Sequence, residues 1–318
     1  MIRSTFFALT ILLASALAAV GQTVPPEIAA ANKDIAAAMQ KNDLKGAAVH
    51  ARKAVGLVEA HFGSDSRHTA LSYENLGTIL AADGKHKHAI EPLHKALTIF
   101  RKDLKTNASD AAGVLGKLGE AHMRAGQLKD AESIFTEFRS EAQVQFGADS
   151  REMIRAKLAL ACFYLNSRED VKAMDELVDA YAIAVNKFGR ESAELDQAGG
   201  ACKGSLVNLF WSNQKRLEPA RKRLNDLLGY QMGKPVSVRH ADVPGPIPWK
   251  PIDVVMHWVV VKVWIDEKGN PTKSKLVWGG EKFADLGTNA AKESRYQASI
   301  KDGKPISDVM YLSFSFAR

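Results

Sequence analysis

Leu76-Gly77-Thr78-Ile79-Leu80-Ala81-Ala82-Asp83-Gly84, with Ala89, Leu93 and Ala96 behind it, decides the fold because it recurs. Adding 42 to the marked positions gives Leu118-Gly119, His122, Gly126, Ala131, Phe135 and Phe138. Adding 42 again gives Leu160-Ala161, Tyr164, Arg168, Ala173, Leu177 and Ala180. One step back, Ile35 stands at the Gly77 position, followed by Ala38, Asn42, Ala47, Ala51 and Ala54. A tag marks the boundaries: Phe62-Gly63-Ser64-Asp65-Ser66, Phe146-Gly147-Ala148-Asp149-Ser150 and Phe188-Gly189-Arg190-Glu191-Ser192. The last opens a looser fourth unit, in which Leu206, Phe210, Ala220, Leu224 and Leu227 keep the pattern only after a short insertion.

Each unit reads as two helices joined by a tight turn. Small residues at the Gly77 and Ala89 positions allow close approach, and the larger apolar positions fill the space between helices. The Asp or Glu before each tag serine belongs to capping of the next helix, not to chemistry. Several positions holding register over three steps make this an array of about four helix hairpins.

The pattern resembles the tetratricopeptide repeat, in the 42-residue form of kinesin light chains, over roughly residues 27–230. The resemblance implies an all-α solenoid whose groove is lined by the first helix of each repeat. By register, Glu74, Thr78 and Ala81, then Gly116, Glu120 and Met123, then Leu158, Cys162 and Leu165 face it. Glu74, Thr78, Glu120, Met123, Leu158 and Cys162 are taken as partner-binding residues; packing between helices is the other reading of these positions.

The end of the chain has a different period. In Val259-Val260-Val261-Lys262-Val263-Trp264-Ile265 the odd positions are apolar and Lys262 points the other way, the mark of a half-buried strand. Asp266-Glu267-Lys268-Gly269-Asn270 is a turn, residues 272–278 a second strand, and residues 282–295 a helix bearing Phe283, Leu286, Ala290 and Ala291. After Asp302-Gly303-Lys304-Pro305, residues 307–316 alternate again. Met310, Leu312, Phe314 and Phe316 share one face, and Tyr311, Ser313 and Ser315 the other. Trp258 and Trp264 share the Lys262 side and either cover a helix or form an exposed aromatic patch.

This strand-strand-helix-strand order resembles the C-terminal domain of the TonB family of periplasmic energy transducers. The carriers are the V-x-V-x-I-D-x-x-G-N stretch (residues 261–270), Ala290-Ala291 before Arg295-Tyr296, the D-G-K-P turn and the closing Ser-Phe-Ser-Phe. The chain departs from the family in lacking the Tyr-Pro before the domain and the Trp-x-(Phe/Tyr)-x-Pro after the helix, and these departures bear on receptor coupling. The resemblance implies a small α+β domain whose sheet adds an extended peptide as an extra strand. The last strand is then the edge, and Tyr311, Ser313 and Ser315 its partner-binding residues.

The fold class is therefore α+β overall, in four segments: a secretory signal (1–21), a helical repeat domain (24–230) that folds alone, a Pro-rich linker (231–257) and the small domain (258–318). The leader has Arg3, an apolar run too short to span a bilayer comfortably, and small residues for cleavage. Cleavage makes the protein periplasmic; an uncleaved leader makes it a membrane-anchored TonB-type transducer. Pro235, Pro244, Pro246, Pro248 and Pro251 keep the linker extended. Cys162 and Cys202 either pair in an oxidising compartment or are two small buried residues, the reading taken here. The net charge of +7 has no basic block, which gives nucleic-acid binding little support.

The sequence carries no H-E-x-x-H, G-x-S-x-G, phosphate-binding glycine loop or C-x-x-C. His86, His88 and His94 cluster at a helix-turn boundary, where solvated polar residues are expected in place of a metal site. The chain thus reads as an exported, non-enzymatic binding protein without metal or cofactor, its partners being proteins or extended peptides of the cell envelope.

Overall fold

The computed structural model describes residues 25–212, 214–237 and 256–317, so the expected leader and most of the Pro-rich linker lie outside the described residues. The chain forms two compact units, the first ending at Gln145 and the second beginning at Phe146.

The first unit is helical: α1 (Pro26–Gln40), α2 (Leu44–Phe62), α3 (Arg67–Ala82), α4 (His86–Phe100), α5 (Leu104–Arg124) and α6 (Leu128–Phe146), whose last residue opens the second unit. The 42-residue step is written in the backbone. The turns inside successive hairpins each place one residue at positive φ: Asn42 (58°), Gly84 (75°) and Gly126 (80°). Just beyond, the N–H groups of Asp43, Lys85 and Gln127 reach back to the carbonyls of Ala38, Leu80 and His122, each at 2.9 Å. This left-handed C-terminal cap satisfies helix-end carbonyls and reverses the chain. Close approach follows from the glycines: a Cβ on Gly77 sits 2.6 Å from Leu93 Cγ, and one on Gly119 sits 2.5 Å from Phe135 Cε1. Leu80, Leu93, Phe100, Leu115, Leu118 and Phe138 are fully buried.

The boundary tag is a stop followed by a start. Gly63 ends α2 at φ 86°, and Ser66 Oγ accepts from the Thr69 N–H (3.1 Å) to cap α3. At the place the step assigns to a second tag, Leu104 stands instead of phenylalanine, and α4 runs through a short 3-10 turn (Arg101–Asp103) directly into α5.

The second unit starts with the same devices. Gly147 (φ 88°) and Ser150 open α7 (Arg151–Asn166), and Arg168 (φ 61°) turns it into α8 (Asp170–Ile183). Gly189 (φ 88°) and Ser192 then open α9 (Ala193–Gly200). There the repeat loosens. A 3-10 turn (Ala201–Gly204) interrupts the first helix of the fourth repeat, followed by α10 (Ser205–Trp211) and α11 (Glu218–Leu228). Of the residues assigned to this repeat, Leu206, Phe210, Ala220 and Leu224 are buried, but Leu227 is 43% exposed because it falls on the outer side of α11.

The rest of the second unit is β1 (Pro235–Ser237), β2 (Met256–Ile265), β3 (Pro271–Gly279), α12 (Ala284–Glu293), β4 (Arg295–Tyr296), β5 (Ser299–Lys301), β6 (Lys304–Ile306) and β7 (Asp308–Ala317). Strands β3, β2 and β7 make an antiparallel sheet in that order, with Lys262 opposite Lys275 on one side and Tyr311 on the other. The β2–β3 turn is held by Asp266, whose Oδ1 accepts from the N–H groups of Lys268 (2.9 Å) and Asn270 (2.8 Å), with Gly269 at φ 83°. Residues 231–237, expected in the linker, are built into the small domain. Gln231 and Ile300 exchange two backbone hydrogen bonds at 2.8 Å, the Gln297 N–H donates to Lys234 O, and β1 pairs with β4.

The sheet is covered on both faces. Val259, Val261, Val263, Ile265, Met310, Leu312 and Phe314 pack with Phe283, Ala290 and Ala291 around α12. The approach is close enough that a Cβ on Gly287 lies 2.7 Å from Val259 Cγ2. Val260, Val309 and Tyr311 on the opposite face join Leu195, Ala198, Leu206, Val207 and Phe210 of the helices in one core. The expected polar face is therefore a second interface, and β2 is buried on both sides.

Candidate partner-binding surfaces

The positions expected to line a groove do not form one uniform surface. In the first unit, Glu74 is committed to Lys117, whose Nζ lies 2.5 Å from its Oε1 and so ties α3 to α5. Arg67 and Asp110 join the same helices by two bonds (2.9 and 2.7 Å). Thr78 Oγ1 donates to its own helix at Glu74 O (2.8 Å), as mid-helix threonines do. Glu120 is exposed and pairs with Arg124 one turn on (3.6 Å), and Met123 is half-buried beside it. Glu120 and Met123 are thus the accessible part of this set, and Arg124, not among the expected residues, stands beside them: a flexible thioether between charges, suited to contact with an extended chain.

In the second unit the expectation fails. Leu158 is buried, 5% exposed, so it packs the core and meets no partner. Cys162 is bonded to Cys202, 40 residues along the chain, which corrects its reading as an unpaired buried residue and commits its sulfur to that bond.

The sheet residues are corrected in the same way. Strand β7 is an outer strand of its sheet, yet Tyr311 is only 3% exposed. Its ring fills the space left by Gly199, where a Cβ would stand 2.2 Å from Tyr311 Cδ1. Its hydroxyl donates to Asp196 Oδ1 (2.7 Å) and its carbonyl accepts from Trp211 Nε1 (3.0 Å). Burial, with Tyr181 and Asp196 adding, pushes its phenol far above the ordinary range. Ser313 is half-buried with its Oγ enclosed and without a partner in the structure. Ser315 contributes backbone to β7 opposite Trp258, and the side chains of both lie outside the described residues.

What the sequence did not reveal is the seam between sheet and helices. Lys262 is 1% exposed; its Nζ donates to Arg190 O (2.5 Å) and Asp196 Oδ1 (3.1 Å) and lies 5.0 Å from the Trp264 ring centroid. Trp264 Nε1 in turn donates to Glu191, so this tryptophan covers the helical side and is not an exposed patch. Lys275 reaches the other oxygen of Asp196 (3.4 Å). A second node is Asp308, 5% exposed, which accepts from Arg190 Nε (2.8 Å), Ser299 Oγ (2.6 Å) and Tyr230 OH (3.4 Å). Burial and this carboxylate push the Tyr230 phenol up to about 12. Buried charges met from several directions fix one docking geometry, since an unpaired one is costly. One signal was in the sequence: Asp196 stands at the register of Ala70, Ala112 and Ile154, a charge where the other repeats bury an apolar residue.

The packing of this seam is incomplete. Beside Tyr311, Trp211, Tyr181 and Gly199 an apolar cavity leaves ≈ 30 Å³ to the centre of a water-sized sphere, room for about two waters. Of the histidine cluster, His88 and His94 are exposed and His86 is half-buried. His94 lies edge-on to His122 of the next helix, ring centroids 5.9 Å apart, and away from any metal-binding trio. Among the described residues no group of three or more His, Cys, Asp or Glu is placed to hold a metal ion, and no helix is long and apolar enough to cross a membrane.

Residues 69–104 match the tetratricopeptide repeat family, in agreement with the hairpin geometry of α3 and α4. The chain is 27% identical over 229 residues to a clustered mitochondria protein homolog of Emericella nidulans, covering 70% of this chain and 19% of that protein. It is 25% identical over 205 residues to the homolog of Coccidioides immitis, covering 64% and 16%. The chain spans less than a fifth of the length of these relatives. Among solved structures, kinesin-light-chain TPR-like repeats of Podosopora anserina superpose with TM-score 0.48 at 16% identity, over 65% of this chain and 94% of that one. A Rap conjugation gene regulator bound to the Phr* peptide superposes with TM-score 0.45 at 16% identity, over 61% and 50%. The chain thus carries a tetratricopeptide-repeat match at residues 69–104 within a mostly helical, repeat-like part that is followed by a small C-terminal sheet region.

Proposed function

We propose that this protein is an exported, non-catalytic scaffold that binds an extended protein segment on the first helices of its repeats. The observation that carries the reading is the repeated hairpin, in register from Asn42 to Gly126 and matched to the tetratricopeptide family over residues 69–104. Repeats of this kind expose one helix per unit along a continuous face, and a partner laid along it contacts several units at once. Glu120, Met123 and Arg124 are the contact residues. Export is supported by the leader-like first 21 residues and by the Cys162–Cys202 bond, which persists in an oxidising compartment such as a periplasm. The TonB-like order of the C-terminal elements supports an envelope role, with β7 an outer strand whose edge outside the Trp211 contact would take a further strand.

The test is to express the full chain with its own leader in a bacterial host, carrying a photo-crosslinking residue at Met123. The reading predicts a mature N-terminus beyond residue 18, soluble periplasmic recovery and a crosslinked protein partner that is lost in Glu120→Lys. An intact N-terminus in the inner-membrane fraction shifts the reading to an anchored transducer. No crosslink from Met123, with the fold intact, removes the repeat face as the binding surface.

A further inference from the structure

We propose that the Cys162–Cys202 disulfide is a redox latch on the seam between the repeats and the C-terminal sheet. Three observations meet at one segment. First, Cys202 lies in the 3-10 turn Ala201–Gly204 that breaks the first helix of the fourth repeat, and this turn lies against β2 and β3. The residues just before it pack directly on the sheet. Gly199 abuts the Tyr311 ring, and a Cβ on Gly200 stands 3.5 Å from Val277 Cγ1 and 3.6 Å from Trp278 Cβ. Second, Cys202 has φ 51°, a left-handed backbone that side chains other than glycine adopt only when something holds them there. The bond to Cys162 on α7 is the covalent tie that holds it. Third, the cavity beside Gly199 and Tyr311 means that packing alone does not fill the seam.

Both cysteines are partly exposed, so a dithiol can reach them. A thiolate of the dithiol attacks one sulfur, forming a mixed disulfide and releasing the other cysteine as a thiolate that takes up a proton. The second thiol of the reductant then displaces the remaining cysteine. The dithiol is oxidised to its disulfide, and Cys162 and Cys202 together gain two electrons and two protons. Once free, Cys202 can leave φ 51°, and the turn loses its tether to α7. The seam then depends on its apolar packing and on the Asp196 and Asp308 nodes, without the covalent tie, and opens more often.

The experiment is amide hydrogen exchange on the whole protein, oxidised and then reduced with dithiothreitol, read segment by segment. The latch predicts that exchange in residues 196–211 and β3 rises on the order of 30-fold or more. The α7–α8 hairpin and the first unit change little. Cys162→Ser with Cys202→Ser should reproduce the reduced pattern without reductant. Cys162→Ser with Cys202→Gly, which accepts the left-handed turn freely, should recover part of the protection. Unchanged exchange at the seam on reduction overturns the proposal. So does an equal rise throughout α7–α11, which marks a disulfide that merely stabilises the unit as a whole. Equal exchange in the serine and glycine double variants overturns the role of the strained turn.

Discussion

The two units are built from the same 42-residue step and end in opposite ways. In the first, each hairpin repeats the last: a left-handed turn, a small residue at the crossing and an apolar fill, with the ion pairs Arg67–Asp110 and Lys117–Glu74 tying first helices together. In the second, the step runs one full repeat and then breaks at the Ala201–Gly204 turn, and a β-sheet takes the next place. A solenoid needs something at its end to cover the last apolar face. Here the cover is the C-terminal sheet, fixed by the buried charges of Lys262 and Asp308. The difference teaches that the fourth repeat and the sheet are one folding unit.

The sharpest contrast is between two carboxylates on first helices. Asp196→Ala takes the nearest counter-ion from the buried Lys262, leaving it the Arg190 carbonyl and the more distant Glu191 carboxylate (3.9 Å), and should cost about 3–5 kcal/mol. Glu74→Ala removes a bridge to Lys117, whose side chain is 35% exposed where that of Lys262 is 1%, so the lysine left behind stays solvated and the change should cost about 0–1 kcal/mol. Chemical denaturation of both variants checks this; equal costs would mean that the seam is no more specific than the surface ladder.

Glycines and alanines at helix crossings come next. Ala131 is fully buried, and Ala131→Leu should overpack α5 against α6 and cost about 1–3 kcal/mol by thermal melting. A neutral outcome would loosen the assignment of this position to the helix crossing.

These sites also show how far the sequence could be read. The repeat was legible because a fixed step is visible without knowing any contact: Asn42, Gly84, Gly126 and Arg168 share one backbone state that their side chains alone do not announce. The strands of the small domain were legible from alternation, and residues 259–265 fall inside β2. What alternation cannot tell is which layer covers each face. Lys262 marked a solvent side by every local rule, and Asp196, 66 residues away, reversed its meaning. Tyr311 was misread for the same reason. Cys162 and Cys202 were left unpaired because sequence gives spacing and not proximity, and Leu227 because the fourth repeat had lost its phase.

An alkaline titration separates the units by a smaller effect. Five of the six tyrosines, all except Tyr73, lie in the second unit. Phenols ionise near 10 in the unfolded chain, whereas burial holds Tyr230 and Tyr296 up to about 12 in the fold. The native state therefore keeps protons that the unfolded chain releases. The stability this gives is full below pH 10 and is lost as pH rises toward about 12. Tyrosinate absorbance should lag in this window and then rise together with unfolding of the second unit. A smooth rise from pH 10 without unfolding would contradict the burial of these rings.

The smallest expected effect concerns the turns. Arg168 carries a left-handed φ of 61° where the two preceding repeats have glycine. Arg168→Gly should stabilise the second unit by up to about 1 kcal/mol, and Gly84→Ala should destabilise the first by about 1–2 kcal/mol. Opposite signs at the same register would confirm that the turn is one device used repeatedly.

The central claim, that the fourth repeat folds only with the sheet, is tested most directly by truncation. Residues 24–145, 24–230 and 146–318 are produced separately and compared by circular dichroism and hydrogen exchange. The account predicts that 24–145 and 146–318 fold, while 24–230 retains protected amides only in the first unit and exposes the Val207, Phe210 and Trp211 face. A 24–230 chain with all its helices protected and melting as in the full protein would contradict it, and would restore the repeats as a domain complete without the sheet.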